Sequence, residues 1–275
     1  MAMVHRQPDA RVGLIESRDS PRRLSLGDAG RLRYRVMLSI LYADDYLVAV
    51  DKPPGLLVHR TGLDAGETRF AIQMLRDQLG RPVWPVHRLD KGTSGVLLFA
   101  LDTETARAMG QAFESGEGLH KTYRAVVRGW PADEGLIDHP LRRMTDDRHD
   151  ERDDVQDAVT QYKTIECYDL PLPQGRYPST RCALMELSPR TGRRHQLRRH
   201  MKHLAHPIIG DTTHGKGPLN RDLAAWLSVK RLWLHAQRLE LRHPITGEGV
   251  CIEALLGPEW GIWPEKGLAG GADAP

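Results

Sequence analysis

The sequence predicts an α+β fold with a largely antiparallel sheet. Three observations carry that expectation. Apolar runs of strand length and segments of helical period follow one another in mixed order, not in the steady βαβα alternation of a doubly wound fold. One six-residue run, at Val96–Leu101, is continuously apolar, which suits a strand covered on both faces. No similarity repeats at a period of 20–50 residues, which excludes solenoids and propellers.

In chain order, "ILYADDYLVAVDKPPG" from Ile40 reads as two β runs around an Asp-Asp turn, closed by Pro53, Pro54 and Gly55. "ETRFAIQMLRDQL" from Glu67 spaces Phe70, Met74, Ile72, Leu75 and Leu79 at helical intervals. "VLLFAL" is the covered strand, "ETARAMGQAFESG" a helix, and "KTYRAVVRGW" an alternating strand that puts Tyr123 on one face with Ala125 and Val127. Then come the β runs "AVTQYKTIECY" and "CALMELSP", the helix candidate "GRRHQLRRHMKHL", and the β runs "LWLHAQRLEL" and "VCIEALL".

A chain of 275 residues buries a substantial core without staples, and its cysteines, Cys167, Cys182 and Cys251, are too few and too scattered for a disulfide framework or a zinc spacing. A reducing compartment is expected. No stretch of 18 apolar residues occurs, so a soluble, cytoplasmic protein is expected. Residues 1–36 are Arg-rich but also carry Asp9, Glu16, Asp19 and Asp28, and read as a poorly ordered extension, not a transit peptide. The formal net charge of +3 is small, but it is unevenly distributed. Residues 181–206 hold seven Arg and Lys against the single Glu186, a plausible phosphate footprint. Residues 146–157, "DDRHDERDDVQD", hold seven acids against two arginines and read as a solvated loop.

"GDTTHGKG" from Gly210 has the spacing of a phosphate-binding loop, but Gly217 stands where Ser or Thr should hold magnesium, so nucleotide binding is not expected. His195, His200, His203 and His206 lie close together without a carboxylate among them, and no metal is expected. In the helix around Arg198, Leu197, Met201 and Leu204 form an apolar stripe beside Arg194, Arg198 and Lys202. An Arg bordering the buried face can reach inward to a carboxylate. Asp90, in "HRLDKGTSG", has three possible roles at this level: a turn or N-cap acceptor, a member of a buried ion pair, or a catalytic nucleophile.

"HRLDKGTSGVLLFA" resembles the signature of the RluA family of pseudouridine synthases, which isomerise uridine in RNA. "LYADDYLVAVDKPPGLLVH" is similar to the family's opening Lys-Pro motif, "KTYRAVVRG" to its Tyr strand, "TGRRHQLRRHMKHLAHPIIGD" to its Arg motif, and "RLWLHAQRLELRHPITGE" to its C-terminal segment. These motifs stand in family order from Ile40 to Glu253. Several details, His214 in "THG" among them, resemble the subgroup that modifies uridine 65 of tRNA. The resemblance implies one catalytic domain over residues 37–263 with a long, bent, mainly antiparallel sheet and a central cleft, followed by a flexible tail over 264–275. Residues 1–36 have no counterpart in it and do not resemble the RNA-binding S4 module.

By position, the resemblance implies that Asp90 is the nucleophile, acting on C1′ or removing the C2′ proton. It implies that Tyr123 stacks on the base and is a candidate to help remove the C5 proton. Arg198 would pair with Asp90 and keep it ionised, and Arg88 would fill the space left when the uridine flips out. Lys52 and Pro53 would shape the cleft floor, Leu197 would pack near Tyr123, and Arg193, Arg194 and Lys202 would contact RNA. No cofactor is implied, because the reaction is redox-neutral. RNA, most simply tRNA, is the expected partner, with no membrane and no required protein partner. Two alternatives remain: a synthase of the same family acting on ribosomal RNA, and a noncatalytic RNA-binding protein that keeps the basic groove.

Overall fold

The computed structural model describes residues 37–60, 66–144 and 154–263, with the backbone of Leu268–Ala269. The N-terminal extension (1–36), most of the acidic loop and most of the C-terminal tail lie outside the described residues. Residues 37–275 form one compact unit.

The strands β1 (Ser39–Ala43) and β2 (Leu47–Lys52) form the expected hairpin. Asp44 Oδ1 caps its turn, accepting the N–H groups of Tyr46 and Leu47 at 2.7 Å each. Next come α1 (Ala71–Leu79), β3 (Trp84–Pro85), β4 (Ser94–Ala100) and α2 (Thr103–Ser115), the last capped by Asp102, which accepts Thr105 N–H at 2.7 Å. The helix expected from Glu67 starts only at Ala71, because Phe70 is extended and bridges to Leu57. Strands β5 (Leu119–Arg128), β6 (Glu134–Asp138), β7 (Leu141–Arg142), β8 (Val155–Gln156), β9 (Val159–Leu170) and β10 (Thr180–Pro189) lead to helices α3 (Gln196–His203) and α4 (Gly217–Leu227). β11 (Leu234–Arg242), β12 (Gly249–Glu253) and β13 (Leu268–Ala269) follow.

Eleven strands make one mixed sheet in the order β1-β2-β4-β11-β5-β10-β9-β13, with β3 on β4, β6 on β9 and β12 on β11. Its pairings are antiparallel except β4–β11, which is parallel. The α+β expectation holds. So does the reading of "VLLFAL" as a strand covered on both faces. From β2 and β4, Val48, Val50, Leu97 and Phe99 pack with Ala71 and Leu75 of α1, while Leu47, Ala49, Val96 and Leu98 pack with Met109 of α2. The same division recurs across β5: Ala125 and Val127 meet Leu197 and Met201 of α3, and Val126 meets Leu219, Leu223 and Leu227 of α4. Helices on both faces therefore hold the middle of the sheet rigid where the chain turns toward Asp90.

Two elements correct the sequence reading. The solvated loop expected over 146–157 includes β8, whose Val155 and Gln156 pair with Arg142 and Leu141; residues 145–153 lie outside the described residues. Helix α4 was not anticipated, although Pro218 in its first turn and leucines at 219, 223 and 227 are a helical signal. Among the described residues no helix is long and apolar enough to cross a membrane.

Candidate active site

Asp90 sits in the turn between β3 and β4. Its backbone carbonyl accepts Thr93 N–H at 3.0 Å, and a strand rather than a helix follows. The backbone thus closes the turn by itself, which removes the N-cap role and frees the carboxylate. Asp90 Oδ2 accepts from Arg198 Nη1 at 2.8 Å, and the Asp90 side chain remains 20% exposed. The ion pair and the open face coexist.

Arg198 comes from the first turn of α3, with its side chain 8% exposed. The planar fork of its guanidinium does not grip Asp90. Nε and Nη2 donate to the two carboxylate oxygens of Asp211, each at 2.8 Å, and only Nη1 is left for Asp90. Asp211 is buried, and its Oδ1 also accepts the N–H groups of Thr213 and His214 at 2.9 Å each. Burial alone would raise the Asp211 pKa, but the Arg198 and backbone bonds outweigh it and hold the carboxyl below its usual range. The segment that mimics a phosphate-binding loop is therefore a carboxylate-centred turn. Gly210 is required there, at φ 79°, because a Cβ would come within 1.8 Å of the Arg231 carbonyl oxygen.

His195 precedes α3 in the left-handed region, at φ 54°. Its Nε2 lies 3.7 Å from Asp90 Oδ1, and its Nδ1 is 3.0 Å from His214 Nε2. Burial, with the nearby Arg198 and His214, overcomes the attraction of Asp90 and pulls its pKa down to about 4, so at neutral pH it is an uncharged hydrogen-bonding group. Gln196 fixes this turn: its Oε1 accepts Thr191 Oγ1–H at 2.7 Å and Arg193 N–H at 2.9 Å, and its Nε2 donates to the Val159 carbonyl and to Thr160 Oγ1 at 3.0 Å each.

Lys52 and Pro53 belong to the loop that flanks the turn of Asp90. Lys52 is buried, with Nζ donating to the carbonyls of Pro53 (2.9 Å), Leu56 (2.8 Å) and Lys91 (3.2 Å). It ties the Pro-Pro-Gly loop to the residue after Asp90, and Gly55 N–H strengthens the tie by donating to the Lys91 carbonyl at 2.8 Å. Burial lowers the Lys52 pKa to about 7 despite the nearby Asp90 and Asp51.

Two cavities meet at Asp90. One, of about 610 Å³, is lined by Tyr123, Leu197, Arg193 and His87; the other, of about 1080 Å³, by Gly55, Leu57, Asp211 and residues of α4. Arg88, Asp90, Arg194, His195 and Arg198 border both. Tyr123 and Leu197 belong to one packed cluster, as expected, and burial and the Asp90 charge push the Tyr123 phenol far up, keeping it neutral. Arg193 also donates through Nε to the Asp157 carbonyl at 3.0 Å. Lys202 lines neither cavity and stands exposed. Sequence reasoning missed Asp211, His195 with His214, and Gln196 as members of the site.

The clustered histidines have other partners. His200 Nε2–H donates to the His139 carbonyl at 3.0 Å, its Nδ1 pairs with Thr160 Oγ1 at 2.9 Å, and His203 stacks on His139 at 3.7 Å. Among the described residues no group of His, Cys, Asp and Glu is arranged to hold a metal ion.

A carboxylate paired with an arginine at 2.8 Å, beside a cavity walled by a neutral tyrosine and a leucine, can act as a nucleophile or base on a flat, uncharged ring and its sugar. Known proteins share this arrangement's sequence and fold. The family model described as RNA pseudouridylate synthase matches residues 46–203. The protein of Vibrio cholerae serotype O1 named tRNA pseudouridine synthase C is 48% identical over 236 residues, covering 84% of this chain and 96% of that protein. The protein of the same name from Salmonella typhi is 50% identical over 228 residues, 82% of this chain and 87% of that protein. The solved structure of human RNA Pseudouridylate Synthase Domain Containing 4 is similar with a TM-score of 0.61 at 27% identity, covering 83% of this chain and 92% of that one. With these similarities and the Asp90–Arg198 pair opening beside Tyr123, the chain belongs to the RluA-type RNA pseudouridylate synthases, enzymes that isomerise uridine to pseudouridine.

Proposed function

We propose that the substrate is tRNA and that the target is the single uridine modified by the relatives named for that reaction. The observation that carries the mechanism is the Asp90 carboxylate, held by Arg198 at 2.8 Å and bordering the Tyr123 cavity. The uridine flips out of its stack, its base enters that cavity against Tyr123 and Leu197, and its C1′ comes to Asp90. Asp90 either attacks C1′ or removes the C2′ proton. In both routes the bond from C1′ to N1 breaks, the uracil turns within the cavity, and C1′ rejoins at C5. The C5 proton leaves and N1 gains one, so the product is an isomer and no redox partner is consumed. Tyr123, neutral at physiological pH, exchanges a proton near C5 through its hydroxyl. Arg88, exposed and shared by both cavities, fills the gap in the RNA stack, and Arg193 and Arg194 contact phosphates beside the target. The reaction takes place where tRNA matures, in the cytoplasm.

The test is a pseudouridine-specific chemical map of total RNA from cells with the gene, without it, and with the gene carrying Asp90→Asn. One tRNA position loses its signal in the second and third strains. Loss at a ribosomal position instead assigns the enzyme to ribosomal RNA, and an unchanged map overturns the reading.

A further inference from the structure

The reaction uses only the smaller of the two cavities. The larger, of about 1080 Å³, is on the scale of a large ligand cleft and lies on the other side of Asp90. We infer that it is a second RNA subsite, taking the nucleotide next to the target uridine, with its phosphate at Arg221 and Lys230. The inference rests on the reading of RNA as substrate and adds a contact that reading does not supply.

Strand continuity gives the first reason. A uridine with its base beside Tyr123 and its C1′ at Asp90 must send its sugar-phosphate chain away from the base. Asp90, Arg88 and Arg198 border both cavities, so the space beyond Asp90 is the larger one. Charge gives the second. Among the described residues its only carboxylates are Asp90 and Asp211, both already bonded to Arg198, whereas Lys91, Arg221, Lys230 and Arg231 add cations to its lining. Lys91 is paired with Glu67 at 2.7 Å, and Arg231 with Glu259, its guanidinium lying 5.3 Å from the ring centres of both Trp233 and Trp260. Arg221 on α4 and Lys230 just after it are exposed, and neither is ion-paired among the described residues. They are the cations available to a phosphate. The third reason is the wall: Leu57, Ile209 and Leu232 also line the cavity, an apolar surface that suits the face of an unstacked base. Arg221 and Lys230 lie outside the basic block at 181–206, so the subsite extends the RNA footprint to a separate part of the chain.

The test measures affinity for unmodified tRNA over a range of salt. Wild type is compared with Arg221→Ala/Lys230→Ala and with a control pair, Arg107→Ala/Arg242→Ala, which removes the same charge from exposed positions outside both cavities. The subsite pair weakens Kd by about tenfold or more and flattens the dependence of log K on log salt by roughly 1–2, whereas the control pair changes Kd less than about twofold. A neutral methylphosphonate, placed in turn at each phosphate flanking the target, weakens wild type at one position and leaves the subsite pair unaffected there, the signature of a shared contact. Equal effects of the two pairs, or methylphosphonate penalties that add fully to those of the variant at every position, overturn the subsite while leaving tRNA as substrate. A wild type that neither binds nor modifies the tRNA overturns both readings.

Discussion

Arg198 is shared between two carboxylates, and that sharing decides how its substitutions behave. Its Nε and Nη2 are committed to Asp211 and its Nη1 to Asp90, three bonds of 2.8 Å in directions only a guanidinium supplies. A lysine keeps the charge but cannot serve both partners. Arg198→Lys is expected to lower kcat by about a hundredfold or more and to destabilise the fold by roughly 3 kcal/mol, because Asp211 is left buried with a weakened counter-charge. Asp211→Asn is the finer probe: it keeps the size of the side chain but turns an NH₂ toward one of the two donors of the fork. We expect kcat to fall tenfold to a hundredfold with KM within about threefold, the mark of a positioning residue. A rise in KM at unchanged kcat would show instead that Asp211 acts on RNA binding. Asp90→Asn should abolish turnover at unchanged thermal stability, and activity within tenfold of wild type would remove Asp90 from the chemistry. Of these residues, Asp90, Tyr123, Leu197 and Arg198 were legible because each sits inside a local motif. Asp211 closes the Arg motif, but its role was not legible, because it lies in a partner thirteen positions away and the segment it opens imitates a phosphate loop. The His195–His214 pair was hidden for the same reason, since only the closure of the α3–α4 segment brings His195 Nδ1 and His214 Nε2 to 3.0 Å. Spacing put Lys202 in line with Arg194 and Arg198, but the helix begins only at Gln196, so Arg194 lies before it.

At the scale of elements, periodicity found the long strands and α3, because each buries a regular face. It missed β3, β6, β7 and β8, of two to five residues, which are too short to show a period and owe their place to a neighbour. It also could not see the step in β11, where register shifts between Ala236 and Arg238. Before the step Leu234 and Ala236 pack toward Tyr123; after it Leu239 and Leu241 pack toward α2. One extra residue breaks the alternation, so that Leu239 and Leu241 pair with Lys121 and Leu119 as Ala236 pairs with Tyr123, which no local pattern encodes. The parallel contact of β4 with β11 is equally tertiary, and Gly95 makes it possible. At φ 104° it lies in a region that side chains rarely adopt, and a Cβ there would meet Ala236 oxygen at 2.2 Å. Both are backbone constraints in a covered strand, so neither can relax cheaply. Gly95→Ala is therefore expected to cost about 3 kcal/mol or more and to lower Tm by several degrees, with activity lost because β4 carries the turn that holds Asp90. A Tm within about 1 °C of wild type would show that the β4–β11 step tolerates separation.

For the molecule as a whole, composition and the order of elements predicted the fold class, but not how stability responds to acid, which depends on where the histidines lie. His59, His87, His195, His200, His214 and His235 all have lowered pKa values, with burial the first cause in each. His87 is the clearest: burial, with Lys121 nearby, brings it down to about 3, its Nε2 accepts Leu98 N–H at 3.0 Å, and its ring stacks on Phe113 with centres 4.6 Å apart. A protonated ring would place a donor against that N–H, so the folded state resists protonation. The unfolded chain, titrating near 6.5, binds more protons than the folded one throughout that interval, and stability falls as pH falls below about 6.5. The full contribution is present above that pH and is lost progressively toward the folded value. Lowered carboxyls such as Asp44 and Asp211 act only below their ordinary range, near pH 4, and Asp51, raised by burial, opposes the loss there, so the decline from 6.5 to 5 belongs to the histidines. For His87 alone it amounts to at most about 2 kcal/mol at pH 5, since each pH unit of the interval is worth about 1.4 kcal/mol. In His87→Gln the amide oxygen can still accept the Leu98 N–H but no longer titrates. Urea unfolding at pH 7 and pH 5 should show the wild type losing several kcal/mol, and the variant losing about 1–2 kcal/mol less. Equal losses in the two proteins would mean that His87 is protonated in the fold without cost, and that the bond to Leu98 is not what holds this edge of β4.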